Sequence, residues 1–177
     1  MVSAEQVFLE FSVAKLRQYL ARIHSCLALL NDQQIWQRPS PASNSIGNLC
    51  LHLAGNVRQW ILHGIAGEPD TRRRDEEFAA RGGIPKAELL ARLDDAVHCA
   101  CQHLESLPPA RLLASTRPQN YDVTVLEAIY HVVEHFSGHT GQIIAATKAM
   151  TGADLGFYRH LSGAAEPPPP PAGHEIP

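Results

Sequence analysis

An all-α fold, a four-helix bundle, is predicted by three observations. Apolar residues recur at helical spacing through four long stretches, no stretch alternates apolar and polar residues long enough to make a strand, and breaks rich in proline, glycine or serine separate the four.

The first helix is the clearest. Leu9, Val13, Leu16, Leu20, Ile23, Leu27 and Leu30 step by alternating fours and threes, the seam of a helix packed in a bundle. Ser3 with Gln6 has the form of a capping box, so the helix is expected from about residue 4 to 30, with Pro39 and Pro41 marking the loop after it. The second opens in Ser43-Asn44-Ser45, all good N-cap types, carries Ile46, Leu49, Leu53, Val57, Trp60 and Ile61, and fades near Gly64 or Gly67. The third follows Gly82-Gly83-Ile84-Pro85, buries Leu89, Leu93, Val97, Ala100, Leu104 and Leu107, and stops at Pro108-Pro109. The fourth starts at a second capping box, Thr124 and Glu127, and runs to about Met150 before Gly152. Its apolar stripe reads Leu126, Ile129, Tyr130, Val133 and Phe136.

The connection between the second and third helices, residues 67–84, is long and polar. Fully extended it reaches roughly 60 Å, more than either flanking helix, which allows those two helices to be parallel neighbours joined by a crossover. Its basic run Arg72-Arg73-Arg74 passes straight into Asp75-Glu76-Glu77 and reads as a solvated loop. After Ser162 the chain turns to Glu166 and five prolines, so a domain is expected over residues 1–163 and an extended or disordered tail over 164–177.

Composition narrows the class. Fifteen Lys and Arg against eighteen Asp and Glu give a formal charge of −3, which argues against nucleic acid as a partner. Met1-Val2-Ser3-Ala4-Glu5 lacks a basic leader, and no apolar run approaches the roughly 18 residues of a membrane span. Cys26, Cys50, Cys99 and Cys101 sit inside helical patterns with no CxxC pair, as expected of reduced thiols in a cytoplasmic protein rather than of a thiolate metal site.

Of ten histidines, His24, His63, His98, His103 and His160 stand alone and His174 lies in the tail. His131, His135 and His139 differ, because spacing by four projects them from one helix face. Chance placement gives about half an HxxxH pair in a chain of this composition, but only about 0.03 of two linked pairs. Two imidazoles one turn apart can reach one metal, and a third ligand must then come from another helix. Asn48, His52, Asn56, Gln59 and His63 form a polar line on the second helix. That line is either its solvated face or a row that turns His52 inward with Asn48 or Asn56 beside it. Three neutral nitrogens with an open position suit zinc or nickel. Gly138 and Gly141 flank His139 at about 1 kcal/mol each relative to alanine, which points to a close neighbour there, either a ligand or a packed helix. His131-Val132-Val133-Glu134-His135 also reads HxxEH, the inverted zinc-peptidase signature, but only Asp154, Glu166 and Glu175 follow as acidic ligands, two of them in the tail.

The stretches Ser45-Ile46-Gly47-Asn48-Leu49-Cys50-Leu51-His52-Leu53-Ala54-Gly55-Asn56 and His131-Val132-Val133-Glu134-His135-Phe136-Ser137-Gly138-His139-Thr140-Gly141-Gln142-Ile143 resemble the DinB-like (YfiT-like) superfamily of metal-dependent enzymes. The resemblance spans about residues 4 to 162 and includes the closing Asp154-Leu155-Gly156-Phe157-Tyr158. It implies an up-down-down-up four-helix bundle, frequent homodimers, and a metal held by His52, His135 and His139, with His131 one turn before the pair and not a ligand. Thr140 stands where the superfamily often has arginine, which argues against an anion-binding role there. Characterised members use low-molecular-weight thiols: bacillithiol transferases, a mycothiol-dependent maleylpyruvate isomerase, and the sulfoxide-forming enzymes of ergothioneine synthesis. The expected function is therefore metal-dependent group transfer with a small thiol, or a related hydrolysis. The other reading is a non-catalytic stress or interaction protein with a structural or vestigial metal. Glu134, about 100° round the helix from His135, is not expected to act as a base.

Overall fold

The computed structural model describes residues 2–161 and is mostly helical, with little strand. Its helices are α1 (Ala4–Ala28), α2 (Asp32–Trp36), α3 (Ile46–Val57), α4 (Arg74–Ala79), α5 (Lys86–Ser106) and α6 (Val125–Thr151). A short antiparallel ribbon pairs β1 (Ser115–Thr116) with β2 (Val123–Thr124), placing Ser115 opposite Thr124 and Thr116 opposite Val123.

The caps are those the side chains dictate. At α3, the Ser45 hydroxyl accepts the Asn48 N–H while the Asn48 amide oxygen accepts the Ser45 N–H. Thr124 and Glu127 close α6 in the same way, and its far end stops at Gly152, whose φ of 68° costs glycine nothing. Ser3 makes only half of its box. Its hydroxyl accepts from the Gln6 N–H at 3.2 Å, while the Gln6 side chain turns to Glu10. Helix α3 does not end at Val57. It widens into a π turn over Arg58–His63, where the Gly64 N–H bonds back to the Gln59 carbonyl.

Helix α1 packs on α5 and α6, and α3 packs on the same two. Leu16, Ile23 and Leu27 of α1 meet Leu53 of α3, Leu93 and Leu104 of α5, and Phe136 of α6 in one fully buried cluster. Each such side chain is worth about 1.5–3 kcal/mol on burial. The apolar row of α6 is Val125, Ala128, Ile129, Val132, Phe136 and Ile143. Tyr130, expected on the buried side, is 61% exposed, because it lies one residue round the helix from Ile129. Helices α2 and α4 are too short to carry a period and were not expected. Gly47 admits α2, since a Cβ there would sit 2.9 Å from the Trp36 ring.

Cys26, Cys50 and Cys101 are buried and Cys99 half-buried, all as free thiols. Among the described residues no helix is long and apolar enough to cross a membrane. The proline-rich segment 164–177 lies outside the described residues.

Candidate metal centre

His52 faces inward from α3, 6% exposed, between Leu53 on one side and the polar row Asn48, Asn56 and Gln59 on the other, all buried. The polar line of the second helix is therefore not a solvated face. Only His63, whose Nδ1 meets the Glu68 carbonyl at 2.6 Å, lies nearer the surface. His135 and His139 project from one face of α6 toward it. His52 Nε2 lies 3.0 Å from His135 Nε2, and His139 Nε2 lies 3.2 Å from the same atom. One ligand atom from each of the three falls within 4.8 Å of the others, so the group could hold a metal ion. Nitrogens around a tetrahedral zinc at about 2.05 Å stand roughly 3.3 Å apart, close to the spacing seen.

The outward nitrogens explain why the lone pairs point in. A carboxylate can only accept, so with Glu77 Oε2 at 3.0 Å from His52 Nδ1, the proton of that ring belongs on Nδ1. Gln142 Oε1 at 2.9 Å does the same for His139 Nδ1. His135 Nδ1 is buried without a partner among the described residues. Its Nε2 then carries the one proton, shared between the two lone pairs that face it, at the place a cation would take. Burial pushes the His135 imidazole down to about 3, helped by His139, His52, His131 and Arg72 around it. Burial likewise lowers His139 and His131. Neutral imidazoles are the form a metal binds.

The Arg72–Arg74 run corrects the reading of a solvated loop. Arg73 and Arg74 are exposed, but the Arg72 side chain is 3% exposed and grips Glu77 by two bonds, Nε to Oε1 at 2.8 Å and Nη2 to Oε2 at 2.9 Å. A buried charged pair is invisible in a basic run that passes straight into an acidic one. Burial disfavours the Glu77 carboxylate, yet Arg72 and His52 outweigh it, and its pKa falls below the ordinary value. Of Asn48 and Asn56, either of which was expected beside His52, Asn48 donates to the Glu77 and Ala80 carbonyls at 2.7 and 3.0 Å and anchors the connection. Gly138 and Gly141 do not mark a close approach among the described residues, because a Cβ on either meets open space there. Behind His52 it is Gly55 that marks one, since a Cβ there would collide with the Glu77 carboxylate and come within 2.9 Å of Arg72 Nε.

Beside the three histidines opens a cleft of about 500 Å³, a size suited to a small molecule. His52 and His135 lie in its lining, with Trp60 from the π turn, Tyr121, Asn56 and His131. His131 stays outside the trio: its ring packs on Trp60 at 4.0 Å and its Nε2 lies 3.4 Å from Asn56 Nδ2. Gln119, with its side chain accepting from Trp60 Nε1 at 3.2 Å, and Asn120 hold left-handed backbone angles of 48° and 65°, a cost that proteins concentrate at functional sites. Glu134 is exposed, so the HxxEH peptidase arrangement is not formed.

The sequence model of a family described as "Protein of unknown function (DUF1572)" matches residues 3–163. The chain belongs to this family. No curated protein matches it. Among solved structures, the "conserved protein of locus from Enterococcus faecalis" is 19% identical with a TM-score of 0.67, covering 81% of this chain and 97% of its own. At that identity the likeness is one of fold, and the family's description leaves the chemistry to the site itself.

Proposed function

We propose that this chain is a metal-dependent enzyme of the DinB-like superfamily, binding one zinc or nickel ion through His52, His135 and His139. One observation carries the reading: three imidazoles converge through Nε2 at the edge of an open cleft rather than inside a closed core. A structural site fills every position with protein ligands, whereas three histidines leave one for an exogenous group. A metal there would lower the pKa of a bound thiol or water, and thiol-dependent group transfer in the cytoplasm is the reaction class we assign. Two of the chain's own thiols are held back from this role, since burial pushes Cys50 up to about 12 and Cys101 up to about 11.

The fold reading that goes with it is an up-down-down-up four-helix bundle. Arg17–Glu105 and His24–Asp94 support opposed directions for α1 and α5, and His52–His135 with Asn56–His131 support the same for α3 and α6. Tyr19 stacks on Phe136 and, further along both helices, Cys26 lies beside Thr147, which is in keeping with parallel α1 and α6. We extend the superfamily's homodimer to this chain, with the exposed face of α6 around Gly138 and Gly141 as the first place to look.

Metal analysis of untagged protein tests the reading. About one ion per chain is expected, lost in His52→Ala, His135→Ala or His139→Ala and retained in His131→Ala. Normal metal content in His52→Ala would remove that ligand. In cobalt-loaded protein a small thiol should add near-ultraviolet charge-transfer absorption. If no exogenous ligand perturbs the cobalt spectrum and the metal-free protein unfolds, the site is structural.

A further inference from the structure

The charges of the α3–α5 connection are buried where a loop has no need to bury them. The Glu77 side chain is 10% exposed and Arg72 is deeper still. Taking such a pair out of water is costly unless geometry and further hydrogen bonds offset it, and apolar residues would dock α4 on α3 without that cost. The geometry here is directed at one atom. Both Glu77 oxygens are used, and Oε2 is the one 3.0 Å from His52 Nδ1. Arg72 continues away from the site, Nη1 donating to Gln59 Oε1 at 2.9 Å, and Gln59 Nε2 donates to Asp70 Oδ2 at 2.8 Å. The chain Asp70–Gln59–Arg72–Glu77–His52 thus ends on the ring whose other nitrogen faces His135. Gly55 leaves the space in which the pair sits.

We infer that Arg72 and Glu77 are positioning residues for the metal: they hold His52 as the Nδ1–H tautomer with Nε2 free, and they couple metal binding to the docking of residues 68–80 on α3. This rests on the three histidines holding a metal, as proposed above. Arg72 Nη2 also lies 3.0 Å from His52 Nδ1, but a guanidinium only donates. Nη2 has acceptors of its own in Glu77 Oε2 at 2.9 Å and the His52 carbonyl at 3.5 Å, so the carboxylate is the partner left for His52 Nδ1, and the ring carries its proton there. Carboxylates placed behind a ligating histidine change metal affinity by about 10- to 100-fold when removed. The coupling is reciprocal: whatever docking contributes to metal affinity, metal contributes to docking.

The decisive variant is the double replacement Arg72→Leu with Glu77→Leu, which removes both charges together and keeps apolar bulk against α3. Zinc affinity is measured by competition with a chromogenic chelator, His52 protonation by imidazole 15N shifts, and docking by tryptic cleavage after Arg73, Arg74 and Arg81. The wild-type chain should show His52 protonated on Nδ1 in the metal-free state, and zinc should slow cleavage in the connection at least several-fold. The double variant should melt, metal-free, near the wild-type temperature, bind zinc roughly 10- to 100-fold more weakly, distribute the His52 proton over both nitrogens, and lose the zinc effect on cleavage. Glu77→Gln, which keeps an acceptor but not the charge, should fall between the two. Wild-type zinc affinity in the double variant, with His52 still protonated on Nδ1, would reduce the pair to a structural ion pair and overturn the inference. If the wild-type chain binds no stoichiometric metal, the reading of the site fails instead, and the 15N shifts of the metal-free protein still decide the tautomer.

Discussion

At the scale of single residues, burial sets which groups can react. Cys50 and Cys101 are held protonated, and Cys26 is pushed up by burial as well. A thiol reagent at pH 8 should therefore label one cysteine per native chain, Cys99, and four in denaturant; fast labelling of Cys50 in the native protein would contradict the packing of α3. The pH dependence follows from His135. Its folded pKa is depressed to about 3 while the unfolded ring titrates near 6.5. The unfolded chain binds the extra proton between those values, so stability of the metal-free protein is fully present above pH 6.5 and falls as pH drops toward 3. Urea midpoints at pH 7 and pH 4.5 should show the loss, and His135→Leu should shrink it. The grouping of His135 and His139 was legible in the rare linked HxxxH spacing, whereas spacing alone left His52 between a solvated face and a ligand until the family resemblance singled it out. Arg72 and Glu77 were not legible, because a basic run that passes into an acidic one looks the same whether it is solvated or folded onto a ligand.

At the scale of elements, long periodic stretches gave up their identity and short ones did not. Helices α1, α3, α5 and α6 were legible from spacing and caps, whereas α4, six residues long, shows no period and is held by tertiary contacts with α3. Removing the Thr124 cap by Thr124→Ala should cost about 1 kcal/mol in chemical denaturation. On the exposed side of α6, Gly141→Ala meets open space and should stabilise the monomer by up to about 1 kcal/mol. Destabilisation there, or a shift in oligomeric mass, would reveal a partner surface against that face. Gly55→Ala acts in the opposite sense: its methyl should displace the Arg72–Glu77 pair and speed cleavage of the connection in a tryptic digest.

For the whole molecule, the apolar cluster spanning α1, α3, α5 and α6 is built without His52, His135 or His139. Chelation should then leave helical circular dichroism largely intact while lowering the melting temperature, by mass action on a site present only in the folded chain. The π turn over Arg58–His63 reaches further than its length implies. It holds roughly one residue more than an α turn, so everything after it is rotated by about 100° from where an unbroken helix would put it. Trp60 lies inside this turn, with its ring 4.0 Å from that of His131. Homologous chains aligned to this one should fall into two groups at this point, those with the residue and an aromatic wall, and those with a one-position gap and a differently shaped cleft. The gap, read in any new sequence, would sort relatives by what their clefts admit.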